Sequence, residues 1–203
     1  MRSDLKPGSR FPDFELPDHR NRVRRLSELQ GAQNFMIVTL GRGVYCPKER
    51  QFLRQLVDFA SQLAVGYTRI VTITTDTFVG SNDLRLGVGA PWPFLHDTER
   101  VVQRDLDIAE YTDPTHDPMV PHTFVLGLDL EIFKIYNGYW YWGRPSTTEL
   151  HSDLRELNQR TRFDCDLGSP EVKKEWEEGD RDRFYPYGRP FQETLGQMGV
   201  TGE

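Results

Sequence analysis

A chain of 203 residues is long enough for one domain with a sizeable core plus an extension. Hydrophobic residues make up 37% and charged residues 28%, the balance of a folded protein rather than a disordered one, and no apolar run nears the roughly 20 residues that cross a bilayer. A net charge of −6 argues against nucleic acid or an anionic membrane as partner, because both require a positive field.

The N-terminal residues lack the apolar stretch of a secretory signal, which favours a cytoplasmic location. Residues 8–18 read as an extended segment punctuated by prolines, followed by a polar turn, a short strand over 23–26 and one helical turn over 27–30. The basic cluster Arg20, Arg22, Arg24 and Arg25 is read as a solvated hairpin, not a phosphate site. Phe35-Met36-Ile37-Val38-Thr39-Leu40 is a continuous apolar run and predicts a central strand buried on both faces.

A glycine-containing loop, Gly41-Arg42-Gly43-Val44-Tyr45, leads to a helix that begins at Cys46, with Pro47 suited to its first turn. Leu53, Leu56, Val57, Ala60 and Leu63 recur at helical spacing and Gly66 stops the helix. Residues 68–75 form a second β-branched strand, so strand, helix and strand make a βαβ unit with a parallel pair. A helix follows around Ser81 to Leu86, then a short strand near Phe94 and a helix over 99–108. Residues 123–127 and 131–136 predict an antiparallel hairpin, and 147–160 an amphipathic helix carrying Leu150, Leu154 and Leu157. The fold class is therefore α/β: a central mixed sheet flanked by helices. From residue 164 the composition shifts, with a charged helical stretch over 171–178 and an aromatic, proline-rich run over 183–191. The chain divides into a domain over 1–163 and a C-terminal extension over 164–203 that packs on the domain or a partner subunit.

Two cysteines are too few for a disulfide scaffold and suit a reducing compartment, and no cysteine–histidine spacing fits zinc; no metal or cofactor is expected. Cys46 stands at the start of a helix, where unpaired backbone N–H groups and the helix dipole favour a thiolate over a thiol. The loop before it leaves the carboxyl end of a central strand, where open α/β sheets carry their reactive groups. Arg42 adds a positive charge nearby. The competing reading of Cys46 is a small buried apolar residue.

Several segments carry a resemblance to a known family. The opening Pro7-Gly8-Ser9-Arg10-Phe11-Pro12-Asp13-Phe14, the stretch Arg42-Gly43-Val44-Tyr45-Cys46-Pro47, Glu49 in the helix behind it, and Pro121-His122-Thr123-Phe124-Val125-Leu126 together resemble peroxiredoxins of the alkyl-hydroperoxide-reductase and thiol-specific-antioxidant (AhpC/TSA) group. The resemblance spans about residues 5–160 and implies a thioredoxin-like fold and a thiol-dependent peroxidase, an oxidoreductase with Cys46 as its redox-active cysteine. This chain departs from the family in having Thr39 where proline is usual and Gly43 where threonine or serine is usual. It has Pro121 where the strand arginine falls. Pro121 instead resembles the cis-proline that faces the active cysteine in thioredoxins, yet Glu49 replaces the second cysteine of a Cys-x-x-Cys pair.

The resemblance thus implies reduction of hydrogen peroxide or organic hydroperoxides by a Cys46 thiolate, with an external thiol as reductant. Arg42, or another arginine brought in by folding, would supply the missing stabilising charge. Glu49 either orients an arginine or is a solvated first-turn glutamate. Tyr45 either walls the thiol from water or is an ordinary packing aromatic. His122 is either a proton carrier or a structural histidine. Cys165 is the one internal resolving thiol, although Asp164 and Asp166 disfavour its thiolate. The aromatic run from Tyr136 to Pro145 reads as core and edge packing, an apolar substrate cleft, or a contact in a homodimer. The alternatives to a peroxidase are a binding module on the same scaffold and a single-cysteine thiol–disulfide exchange protein.

Overall fold

The computed structural model describes residues 1–32, 34–180 and Phe184. Near the N-terminus the chain forms a small antiparallel hairpin of β1 (Glu15–Pro17) and β2 (Val23–Arg25), followed by the short helix α1 (Leu26–Gln30). The Asp18 carboxylate closes the hairpin by accepting from the backbone N–H groups of Arg20 and Arg22, at 2.8 and 3.0 Å. Arg20, Arg22 and Arg25 are exposed there, while Arg24 reaches Glu28. The basic cluster is a solvated hairpin surface.

The main sheet has five strands in the order β5-β4-β3-β6-β7. Its members are β3 (Phe35–Gly41), β4 (Thr68–Thr74), β5 (Phe94–His96), β6 (His122–Leu126) and β7 (Ile132–Asn137). β3 lies parallel to β4, and β4 to β5; β3–β6 and β6–β7 are antiparallel. Every residue of β3 is buried, as its unbroken apolar run requires of a strand covered on both faces. Thr39 sits inside this ladder, paired with Thr72 on one side and Thr123 on the other. Proline would interrupt a central strand here, so threonine at this position follows from β3 running on to Gly41.

Alternation along β3 divides the core in two. Met36, Val38 and Leu40 face Phe11, Leu26, Val102 and Phe124, whereas Ile37 faces the opposite layer with Leu53, Leu56, Leu84 and Leu150. The second layer holds α2 (Pro47–Val65), α3 (Phe78–Val88) and α5 (Thr147–Thr161); the first holds α1 and α4 (Val101–Asp105). In α2 the buried stripe is wider than the leucine spacing predicts: Phe52, Phe59 and Glu49 are buried too, while Val57 and Ala60 are half-buried.

Three boundaries differ from expectation. α3 starts at Phe78 rather than Ser81, because the Thr77 hydroxyl caps the Gly80 N–H at 3.3 Å. α4 is shorter than 99–108, because Arg100 stands in the left-handed region (φ 57) and the Asp97 carboxylate caps Val101 and Gln103 beyond it. Glu131 falls in the β6–β7 turn, its carbonyl accepting from the Gly127 N–H at 2.7 Å. After α5, a turn at Phe163–Cys165 leads to α6 (Pro170–Glu177), and buried Phe184 packs edge-on against Phe163 and Trp176. The remainder of the aromatic, proline-rich run lies outside the described residues.

Strand register gathers the site. Leu40 pairs with His122 and His122 with Asn137. The loop leaving β3, the residue entering β6 and the loop leaving β7 therefore meet at one end of the sheet.

Candidate functional site

Cys46 caps α2. It is in extended conformation (φ −86, ψ 112), its N–H donates to the Gly43 carbonyl at 3.1 Å, and its carbonyl accepts from the Arg50 N–H at 3.3 Å. Pro47 occupies the first helical turn, where its missing N–H costs nothing. Cys46 is 3% exposed.

The loop before it is shaped by two glycines. At Gly43 the backbone is held at φ +114, and a Cβ would lie 2.6 Å from Asp76 Oδ1. Asp76 Oδ2 in turn accepts the Val44 N–H at 2.9 Å, and burial pushes its carboxyl above the usual range. This carboxylate leaves no room for the threonine or serine that the family carries here. At Gly41 a Cβ would meet the Glu49 carboxyl at 2.9 Å. Both glycines are needed because carboxylates pack directly against the backbone.

Arg42 is clamped by acids. Its Nε and Nη2 reach Glu110 Oε2 and Oε1 at 2.6 and 2.8 Å, and Nη2 also meets Asp113 Oδ2 at 3.3 Å. Burial works against the Arg42 charge, but the neighbouring Tyr45, Glu110 and Cys46 outweigh it and hold the guanidinium above the ordinary arginine value. Arg42 is thus charged and shares a cavity lining with Cys46.

Glu49 is neither solvated nor directed at Arg42's guanidinium. It is 1% exposed, and the carboxylate accepts from Arg144 Nη2 at 2.8 Å and from the Arg42 backbone N–H. Burial pushes the Glu49 carboxyl up, more than these two donors pull it down. Arg144 is tied by its Nη1 to the Gly138 carbonyl at 3.1 Å and lies in the loop between β7 and α5.

Cys46 opens into a cavity of about 290 Å³. Arg42, Arg144 and Lys48 bring positive charge to its lining, and Glu110 holds Arg42 in place. Pro121, Tyr139, Trp140 and Tyr141 supply its apolar wall. Two larger grooves, of about 630 and 620 Å³, lie around Thr68 and Phe35 at the amino ends of β4 and β3, away from Cys46. Among the described residues, no cluster of three or more His, Cys, Asp or Glu side chains could hold a metal ion.

Of the residues singled out from sequence, Cys46, Arg42 and Pro121 come together in this cavity, with Glu49 behind it through Arg144. Tyr45 does not line it: its ring stacks on His116 at 3.8 Å and its hydroxyl donates to Asp113 at 3.1 Å. Burial raises the Tyr45 phenol above its usual value. His122 also lies outside the lining. Its Nδ1–H donates to the Val120 carbonyl at 2.8 Å, and burial lowers its basicity. Cys165 is exposed in the turn after α5 and takes no part in the lining. Arg144, Glu110, Lys48 and Asp76 were missed. A buried glutamate one helical turn after the cysteine was the available signal that a cation must reach it from elsewhere.

A mixed five-stranded sheet, with a cysteine capping the helix after its central strand, defines a thioredoxin-like protein of the peroxiredoxin kind. The profile of the AhpC/TSA family matches residues 7–134, and the chain belongs to that family. Among solved structures it is similar to peroxidoxin BcpB from Mycobacterium tuberculosis, with 20% identity over 76% of this chain and 97% of the other, and a TM-score of 0.64. It is also similar to a Cys-to-Ser mutant of peroxiredoxin 6 from Arenicola marina (14% identity, 79% and 76% covered, TM-score 0.65). A third is a thiol peroxidase from Chromobacterium violaceum (16%, 77% and 87%, 0.61). No curated protein matches the chain. Family membership makes the protein a thiol-dependent peroxidase, and the binding-module alternative is not favoured. No helix among the described residues is long and apolar enough to cross a membrane.

Proposed function

We propose that Cys46 is the peroxidatic nucleophile and that Arg42 and Arg144 replace the strand arginine displaced by Pro121. The supporting observation is the cavity itself, which joins the helix-capping thiol to two arginines fixed by buried or half-buried carboxylates. The thiolate attacks the terminal peroxide oxygen, the oxygen–oxygen bond breaks, and Cys46 becomes a sulfenic acid as hydroxide or alkoxide departs and takes a proton from solvent. The two guanidiniums stabilise the negative charge that grows on the leaving oxygen. Glu110 and Glu49 act as positioning residues for them.

Cys165 lies off the cavity, so an external thiol completes the cycle. It condenses with the sulfenic acid to release water and leave a mixed disulfide, which a second thiol reduces to free Cys46. A reducing cytoplasm suits both free cysteines. The test is peroxide consumption with dithiothreitol as reductant. Cys46→Ser is expected to abolish it and Cys165→Ser to leave it within about twofold, following the nucleophile logic of thiol enzymes. Consumption that persists in Cys46→Ser would overturn the assignment.

A further inference from the structure

We infer that Lys48 and the aromatic strap Tyr139-Trp140-Tyr141 form a substrate-selecting subsite for organic hydroperoxides that carry a carboxylate on a long apolar body. The subsite presupposes that Cys46 is the peroxidatic thiol. Size is the first argument. A water-sized molecule occupies about 30 Å³ in the liquid, and hydrogen peroxide only somewhat more. The cavity of about 290 Å³ is therefore far larger than hydrogen peroxide needs.

Apolar surface is the second. Trp140 is 71% and Tyr141 80% exposed, directly beside the thiol cavity. Large aromatic surface left open next to a reactive group is surface for a ligand to cover. Charge is the third. Arg42 is paired with Glu110 and Asp113, and Arg144 with Glu49. Lys48 has no carboxylate partner among the described residues; its ammonium sits 3.8 Å above the Tyr141 ring centroid. Among the described residues Lys48 is thus the lining cation left without a carboxylate for an incoming anion, and it rests on the aromatic wall. A hydroperoxide at Cys46, an apolar body on Trp140 and Tyr141, and a carboxylate at Lys48 satisfy all three features. Hydrogen peroxide satisfies none.

The experiment is single-turnover oxidation of the reduced full-length chain, with the Cys46 sulfenic acid trapped by dimedone and read by mass spectrometry. The probes are hydrogen peroxide, linoleic acid hydroperoxide and the methyl ester of that hydroperoxide, the lipids below their micellar concentrations. The acid is expected to react about fivefold faster than the ester, the scale of one exposed ion pair. Lys48→Gln should bring the acid-to-ester ratio to about one, and Lys48→Arg should retain it. Trp140→Ala should slow both lipid probes relative to hydrogen peroxide by roughly three- to tenfold, as expected on losing a large aromatic contact. An acid-to-ester ratio of one in the unmodified chain, or a ratio unmoved by Lys48→Gln, overturns the subsite. So does a Trp140→Ala variant that only dissociates a dimer in sedimentation while its selectivity stays constant. If no probe oxidises Cys46, the peroxidatic assignment falls as well; if hydrogen peroxide alone reacts normally, only the subsite falls.

Discussion

At the residue scale the site turns on how carboxylates are packed. Asp76 and Glu49 press against backbone where a side chain would otherwise stand, and each fixes a neighbour: Asp76 the Val44 amide, Glu49 the Arg144 guanidinium. A buried glutamate opposite a 13%-exposed arginine is a pair whose geometry matters more than its net stability. Gly43 follows from the same packing. Restoring the family's hydroxyl with Gly43→Thr would force a β-branched residue to φ +114 and drive its Cβ into Asp76. Strain and overpacking together are expected to lower the unfolding free energy by roughly 2–4 kcal/mol, measured by chemical denaturation. Peroxide turnover should fall with it. Faster turnover at unchanged stability would mean that the loop can reseat around a hydroxyl, and that Asp76 does not dictate glycine at position 43.

Arg144 owes its place to an element as well as to its pairing with Glu49. It lies just ahead of α5, whose N-terminus is closed by a capping box: the Ser146 hydroxyl accepts the Glu149 N–H at 3.2 Å, and the Glu149 carboxylate accepts the Ser146 N–H at 2.8 Å. Removing the cap by Ser146→Ala is expected to cost about 1 kcal/mol of stability. The pH dependence has a definite sign. The backbone N–H and then the side chain of Ser146 hold the Glu149 carboxyl below its ordinary value of 4.5. A carboxylate lowered on folding stabilises the protein above its unfolded pKa, and that stability is lost as pH falls through the folded value. The difference between wild type and Ser146→Ala should therefore shrink below pH 4.5 in denaturation curves. A difference constant from neutral to acid pH would show that the carboxylate is not coupled to the Ser146 hydroxyl.

Elements of this kind were legible in the sequence where one local pattern sufficed. The apolar run of β3, proline after Cys46 and glycine after α2 each state their structure within a few residues. Arg144 could not be read that way: its partner Glu49 is 95 residues distant, and only the hairpin register brings the loop after β7 over α2. Tyr45 illustrates the opposite difficulty. Adjacent to Cys46 in sequence, it is turned outward by the loop to stack on His116. The fold follows from periodicity, whereas the cavity wall follows from how three loops close at one end of the sheet.

At the scale of the whole molecule, the question is whether the chain behaves as one cooperative unit. The two core layers on either side of the main sheet are continuous through β3, but Val172 and Phe184 are buried in a separate small cluster with Trp176, beyond the end of α5. We take the segment from residue 164 as an extension docked on the domain, and among the described residues Phe184 is the contact to test. Phe184 is 2% exposed and packs edge-on with Trp176 at 5.2 Å and Phe163 at 5.1 Å. Truncating it by Phe184→Ala should remove about 3 kcal/mol from the stability of that cluster. If the extension is a separate cooperative unit, the loss will stay local. Amide exchange in α6 should then accelerate by about a hundredfold, with the α6 amides opening independently of the rest. Amides of β3 and β4 should keep their protection, and peroxide consumption should be unchanged, because no residue of the Cys46 cavity belongs to the cluster. Equal acceleration in α6 and β3 would instead mean that domain and extension unfold together, and the boundary near residue 164 would have to be abandoned.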